Sequence, residues 1–86
     1  MYRRRSDVRF RIVGDEGIAV MQSTGEVLAV NGVGARLLSL LETTRALDEI
    51  LASLTDEYEV ERGVLARDVE SFVSELVTAG VLEEVT

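Results

Sequence analysis

The sequence predicts one small α+β domain in which a three-stranded antiparallel meander is followed by three helices, in the order βββααα. Three observations carry this prediction. Val8–Val13 alternates as V-R-F-R-I-V, with Val8, Phe10 and Ile12 on one face and Arg9 and Arg11 on the other, the period of a half-buried strand. Residues 26–41, E-V-L-A-V-N-G-V-G-A-R-L-L-S-L-L, pass from strand to helix with no loop between them. Beyond that junction the apolar residues recur at helical spacing, whereas before it they fall into short runs separated by glycine-containing turns.

Taken in order, residues 1–7 are polar and basic, with the triplet Arg3, Arg4 and Arg5, and read as a flexible, frayed start preceding a domain over 8–86. After the first strand, Gly14-Asp15-Glu16-Gly17 is turn chemistry. A second strand covers residues 18–22, Ser23-Thr24-Gly25 turns the chain, and residues 26–30 form the third strand. Asn31 follows, a side chain able to cap a helix by accepting a free backbone N–H. The first helix covers 32–41, with Val33, Leu37, Leu40 and Leu41 along one face. Gly34 inside it costs about 1 kcal/mol relative to alanine and points to close packing with a neighbour.

Residues 42–45 break the chain before a second helix over 46–54, whose Leu47, Ile50, Leu51 and Leu54 make a single buried stripe. Residues 55–63 are acidic and read as a loop pinned by Tyr58 and Val60. The third and longest helix covers 64–79. Leu65, Val69, Phe72, Leu76 and Ala79 form its stripe, which Val73 and Val77 widen. That apolar arc exceeds what core packing in so small a domain requires, a first hint of a binding surface. Gly80 is placed to end the helix in the left-handed conformation, and Val81-Leu82 packs back as an apolar tail.

Composition removes several classes of function. The 86 residues contain no Cys and no His, so thiolate metal sites, disulfides and histidine base catalysis are excluded, and no cofactor or metal is expected. There is no Lys, so hydroxyls have neither a His nor a Lys to activate them. The glycines match neither a dinucleotide fingerprint nor a P-loop, and the acids around Tyr58 lack the alternation of a calcium loop. The chain is therefore expected not to be an enzyme. With no long apolar run or signal-peptide pattern, a cytoplasmic location and no membrane partner are expected. The net charge of −7 is uneven: residues 1–30 carry about +1 and residues 31–86 about −8. Phosphate backbones would be repelled by the helical half, so no nucleic-acid partner is expected.

The residues also carry a family resemblance. Val30-Asn31, then Gly34-Ala35, Leu37-Leu38 and Leu40-Leu41, resemble the "L-N-x-x-G-A-x-I-L-x-L-L" signature of the PqqD-like proteins. Asp48-Glu49-Ile50 with Leu54 and Tyr58 is similar to that family's second helix. Asp68-Val69, Phe72-Val73, Leu76 and Gly80-Val81-Leu82 are similar to its third. The sequence departs from the pattern at Glu42-Thr43, where the family often has Asp-Gly, and at Ala46, where a Ser or Thr usually caps helix two and Thr44 is the substitute.

The resemblance implies a winged-helix-like domain that recognises the leader segment of a ribosomally made precursor peptide. It would present that peptide to a modifying enzyme such as a radical SAM protein, in pyrroloquinoline quinone (PQQ) biosynthesis or a related pathway. In the family the leader adds as a strand beside the third strand and against the third helix. This implies a peptide site at Glu26, Val27, Leu28, Ala29 and Val30 together with Asp68, Val69, Phe72, Val73, Glu75 and Leu76. An exposed edge strand permits strand addition physically. Two alternatives share the same parts: a winged-helix DNA-binding domain, and a structural subunit in which a partner, including a second copy in a homodimer, covers the same edge.

Overall fold

The computed structural model describes residues 1–85. Its core layer is a sheet of β2 (Val8–Val13), β3 (Glu16–Met21) and β4 (Glu26–Asn31), all antiparallel in the order β2-β3-β4. Three helices follow, α1 (Gly32–Leu40), α2 (Leu47–Glu57) and α3 (Arg62–Ala79). The predicted α+β order is therefore the observed one. The core joins Ala19 and Met21 of the sheet to Leu37, Leu38 and Leu41, to Ile50 and Leu54, and to Leu65, Val69, Val73 and Leu76.

The chain start departs from expectation. Tyr2–Arg4 is a strand, β1, paired antiparallel with β5 (Leu82–Glu84) in a separate ribbon, with Tyr2 opposite Glu84 and Arg4 opposite Leu82. The frayed N-terminus is thus corrected, and the physical reason is local. Val81 and Leu82 are buried, which fixes the tail after Gly80, and the tail offers backbone partners to the start of the chain. Arg3 adds an ion pair to Glu83 at 2.7 Å, Tyr2 and Arg45 exchange backbone hydrogen bonds at 2.8 and 2.9 Å, and the Arg4 guanidinium stacks 5.1 Å from the Phe10 ring centroid. Gly80 takes φ +85 and closes α3 as expected.

The helix ends differ in instructive ways. Asn31 occupies the N-cap position of α1 in extended backbone, but its side chain makes no capping hydrogen bond. At α2, Ala46 is the N-cap residue. It has no side-chain acceptor, so only half of a capping box forms, through the Glu49 carboxylate accepting the Ala46 N–H at 3.2 Å. Helix α2 runs three residues past its predicted end, to Glu57, with no glycine or proline to stop it. There the single N–H of Arg36 Nε is shared between the two Glu57 carboxylate oxygens, at 2.8 and 2.9 Å, tying α2 to α1 and holding the guanidinium firmly protonated. Tyr58 is half-buried, but Val60 is 44% exposed and pins nothing.

Candidate functional site

The site begins with the edge of β4. Gln22 donates its N–H to the Asp7 carbonyl at 2.9 Å, so the peptide groups of residue 22, and by alternation of Val20 and Ile18, face β2. Those of Gly17, Ala19 and Met21 then face β4, where their opposite residues Val30, Leu28 and Glu26 complete the ladder. The N–H and C=O groups of Val27 and Ala29 consequently point away from the sheet. Among the described residues no strand pairs with that side of β4. The side chains obey the same alternation. Leu28 and Val30 are half-buried toward the core, while Val27, 65% exposed, and Ala29 lie on the outer face.

Helix α3 supplies the opposite wall. Because α1 starts at Gly32 with no intervening loop, its first turn lies directly beside the end of β4, and α3 packs across both. Between them is an open groove of about 350 Å³. Ala29, Val30 and Asn31 line it from the strand, Val33 and Gly34 from α1, and Asp68, Val69 and Phe72 from α3. Its surface is mostly apolar, and Asp68 is its one charged lining residue. The Asp68 carboxylate is exposed and makes no ion pair among the described residues.

Of the eleven residues the sequence pointed to, the structure gathers five on this groove: Ala29, Val30, Asp68, Val69 and Phe72. Glu26 and Val27 lie earlier on the same strand and are exposed, and Leu28 turns toward the core. Glu75 is exposed on α3 beyond the groove lining. Val73 and Leu76, 3% and 2% exposed, sit in the core outside the groove lining, whereas Val69, though also a core residue, touches the groove floor. Sequence reasoning missed Asn31, Val33 and Gly34 as lining residues. The available signal was the loop-free junction, which forces the first turn of α1 to share a face with the strand before it. Helix α3 exposes Asp68, Glu70 and Glu75 against Arg62 and Arg67, a poor complement to a phosphate backbone.

Fold and groove together define a class: a small α+β domain that sets an unpaired strand edge beside an apolar groove, the two features that strand-adding peptides require. The chain belongs to the PqqD family, whose description is Coenzyme PQQ synthesis protein D and which matches residues 16–82. A curated relative, the PqqA binding protein of Gluconobacter oxydans (strain 621H), is 33% identical over 63 residues. That match takes in 73% of this chain and 66% of the relative, a little under two thirds of its length. The solved structure of TbiB1 in complex with the TbiA(beta) leader peptide superposes with a TM-score of 0.89 at 28% identity, covering 98% of each chain. A lasso peptide synthetase B1 complexed with the leader peptide has the same fold, with a TM-score of 0.82 at 24% identity over 96% of this chain and 98% of that one.

Proposed function

We propose that this chain is a non-catalytic adaptor that binds the leader segment of a ribosomally made precursor peptide and presents it to a modifying enzyme. The leader adds as a strand to β4 and lays alternate side chains into the groove against α3. The observation that carries this reading is the outward direction of the Val27 and Ala29 peptide groups beside a groove lined by Val30, Val69 and Phe72. The relatives support it: one is named for binding PqqA, and another was solved with a leader peptide.

Backbone hydrogen bonds supply affinity for any extended peptide, and the groove supplies selection. Each leucine or phenylalanine buried there contributes about 1.5–3 kcal/mol. Two or three such anchors, less the cost of ordering the peptide, give roughly micromolar binding. Asp68 adds a rim contact for a basic leader residue. The enzyme served is one that modifies peptides, with radical SAM proteins the first class to test. The same proposal places the work in the cytoplasm; no helix among the described residues is long and apolar enough to cross a membrane.

The test is an NMR titration of the labelled domain with candidate leader peptides, PqqA-type leaders first. Amide shifts concentrated on residues 26–31 and 68–72 are expected. Saturable binding whose shifts fall elsewhere would overturn the strand-addition site, and no binding to any leader would overturn the adaptor itself.

A further inference from the structure

Leader binding at β4 leaves the arginines at the opposite edge of the sheet without a role. Arg3, Arg5 and Arg36 have carboxylate partners, and Arg45 donates to the Leu40 carbonyl. The others have none among the described residues. Of these, Arg62 and Arg67 lie on α3, whereas Arg4, Arg9 and Arg11 gather around β2.

Arg4 and Arg9 line an open, mainly polar hollow of about 350 Å³, together with Arg5, Ser6, Phe10 and Glu42. Arg4 is built into this hollow. Its backbone N–H donates to the Leu41 carbonyl at 3.0 Å, its guanidinium rests 5.1 Å from the Phe10 ring centroid, and its Nε is buried without a hydrogen-bond partner. A buried charged donor left unpaired is costly, which favours an acceptor arriving from outside. The local charge sets what that acceptor is. Arg5 is engaged by Asp7 and Glu83, and Glu42 offsets one of the two remaining guanidiniums. A single carboxylate balances the positive charge left over; a phosphate dianion exceeds it.

Arg9 is also a wall of a second hollow, of about 360 Å³ and mostly apolar. Here Arg9 stands opposite Val20 and Arg11 opposite Ile18. Ile18 and Val20 alternate with the buried Gly17, Ala19 and Met21, so they face away from the core and are only half-buried. A free anion has no use for this apolar surface, whereas a peptide has a neighbouring side chain to place on it.

We infer that the two hollows form a second binding site, for an acidic segment on the surface of the modifying enzyme. One carboxylate enters between Arg4 and Arg9, and an apolar side chain beside it rests on Ile18 and Val20. Because β3 separates this site from β4, it can be filled while a leader is bound. Naming the enzyme as occupant rests on the adaptor reading; the acidic-peptide site does not.

The test is an NMR titration of the whole labelled chain, read at the backbone amides and at the arginine Nε–Hε signals. The probe is acetyl-Glu-Leu-Glu-Leu-Glu-amide, run beside its copy with Gln for each Glu and beside inorganic phosphate. The acidic peptide should saturate, moving the Nε–Hε signals of Arg4 and Arg9 and the amides of residues 4–11 and 18–20. The Gln copy and phosphate should bind about tenfold more weakly or worse. Arg4→Gln and Arg9→Gln should each weaken the acidic peptide about tenfold. Glu42→Gln removes a competing carboxylate and should tighten it about threefold. The double variant Arg62→Gln, Arg67→Gln takes twice as much charge from α3 and should change the affinity less than about twofold.

Equal losses in Arg9→Gln and in the Arg62, Arg67 variant would reduce the effect to overall charge and overturn the inference. So would an acidic peptide that does not bind, phosphate binding as tightly as the peptide, or shifts confined to β4 and α3. Should Arg4→Gln disturb the β1–β5 ribbon, Arg9→Gln and Glu42→Gln decide, since both side chains are exposed. Leader affinity should be unchanged in Arg9→Gln, so failure here leaves the leader groove standing, and failure of the groove leaves this site to its own titration.

Discussion

Strands β2 and β4 are the two outer strands of one sheet, each six residues long and each paired on one side only with β3. Their surroundings differ. Beside β4 lie the first turn of α1 and the Phe72 face of α3, which turn a line of unsatisfied peptide groups into a groove with a shape. Strand β2 carries Arg9 and Arg11 on its exposed face, and neither makes an ion pair among the described residues. Both edges offer hydrogen bonds, but among the described residues only β4 has an apolar groove walled by a helix, whereas the hollow over β2 is lined by Arg9 and Arg11 with Phe10, Ile18 and Val20. The β2 edge bears charge of the kind that discourages strand pairing. A strand edge alone is a hazard; an edge beside a groove is a site.

Proline tests this contrast most severely. By the alternation that turns the Ala29 N–H outward on β4, the Ile12 N–H points outward on β2. Ala29→Pro deletes an outward donor of β4 without breaking the ladder and should weaken leader binding roughly a hundredfold or more, by calorimetry. Ile12→Pro makes the same deletion on β2 and should leave the affinity unchanged. Equal losses in the two variants would break the distinction between the edges.

A smaller effect is expected at the groove itself. Phe72→Ala removes the half-buried ring that forms its α3 wall and should weaken binding about tenfold, while urea unfolding shows the domain still folded. Smaller again is the consequence of uncharging β2. Replacing Arg9 and Arg11 together by threonine should allow copies of the chain to associate at concentrations of about 1 mM, visible by sedimentation velocity. A variant that stays monomeric there would show that charge does not guard this edge.

The smallest effect lies at the corner where the chain enters β2. Ser23 Oγ donates to Asp7 Oδ2 at 2.8 Å, and this hydrogen bond, with Arg5 assisting, holds the Asp7 carboxyl below its ordinary value. Depression in the folded state means the contribution to stability is complete above the ordinary carboxylate value, near pH 4. It is lost as pH falls through the lower folded value. An NMR titration of Asp7 should show the depressed midpoint, and Ser23→Ala should raise it toward normal.

The meander and the three helices were legible because their signals are periodic: two-residue alternation around Phe10, and Leu47, Ile50, Leu51 and Leu54 on one helical face. The β1–β5 ribbon was not, since three residues are too few to show a period and the pairing joins opposite ends of the chain. Helix ends slipped where no residue forbids continuation, as at Thr55-Asp56-Glu57. For the groove, it is the family resemblance that sets Phe72 and Asp68 beside the strand. Val73 and Leu76 could not be told apart from them, because the boundary between core face and open face depends on how α3 crosses the sheet. That angle is set by packing and is not written in any one helix. Asn31 illustrates the same limit: its residue type suits a cap, yet the structure leaves it uncapping, on the wall of the groove.

The ribbon has a kinetic consequence. Arg3 meets Glu83 across a separation of 80 residues, so this contact closes a loop made of nearly the whole domain. Such a contact is entropically unfavourable until the intervening chain is compact. The sheet and helices must therefore assemble first, and β1 can zip onto β5 only when Gly80 has already turned the tail back against α3. Tyr2, Arg3 and Arg4 are then among the last residues to find their place.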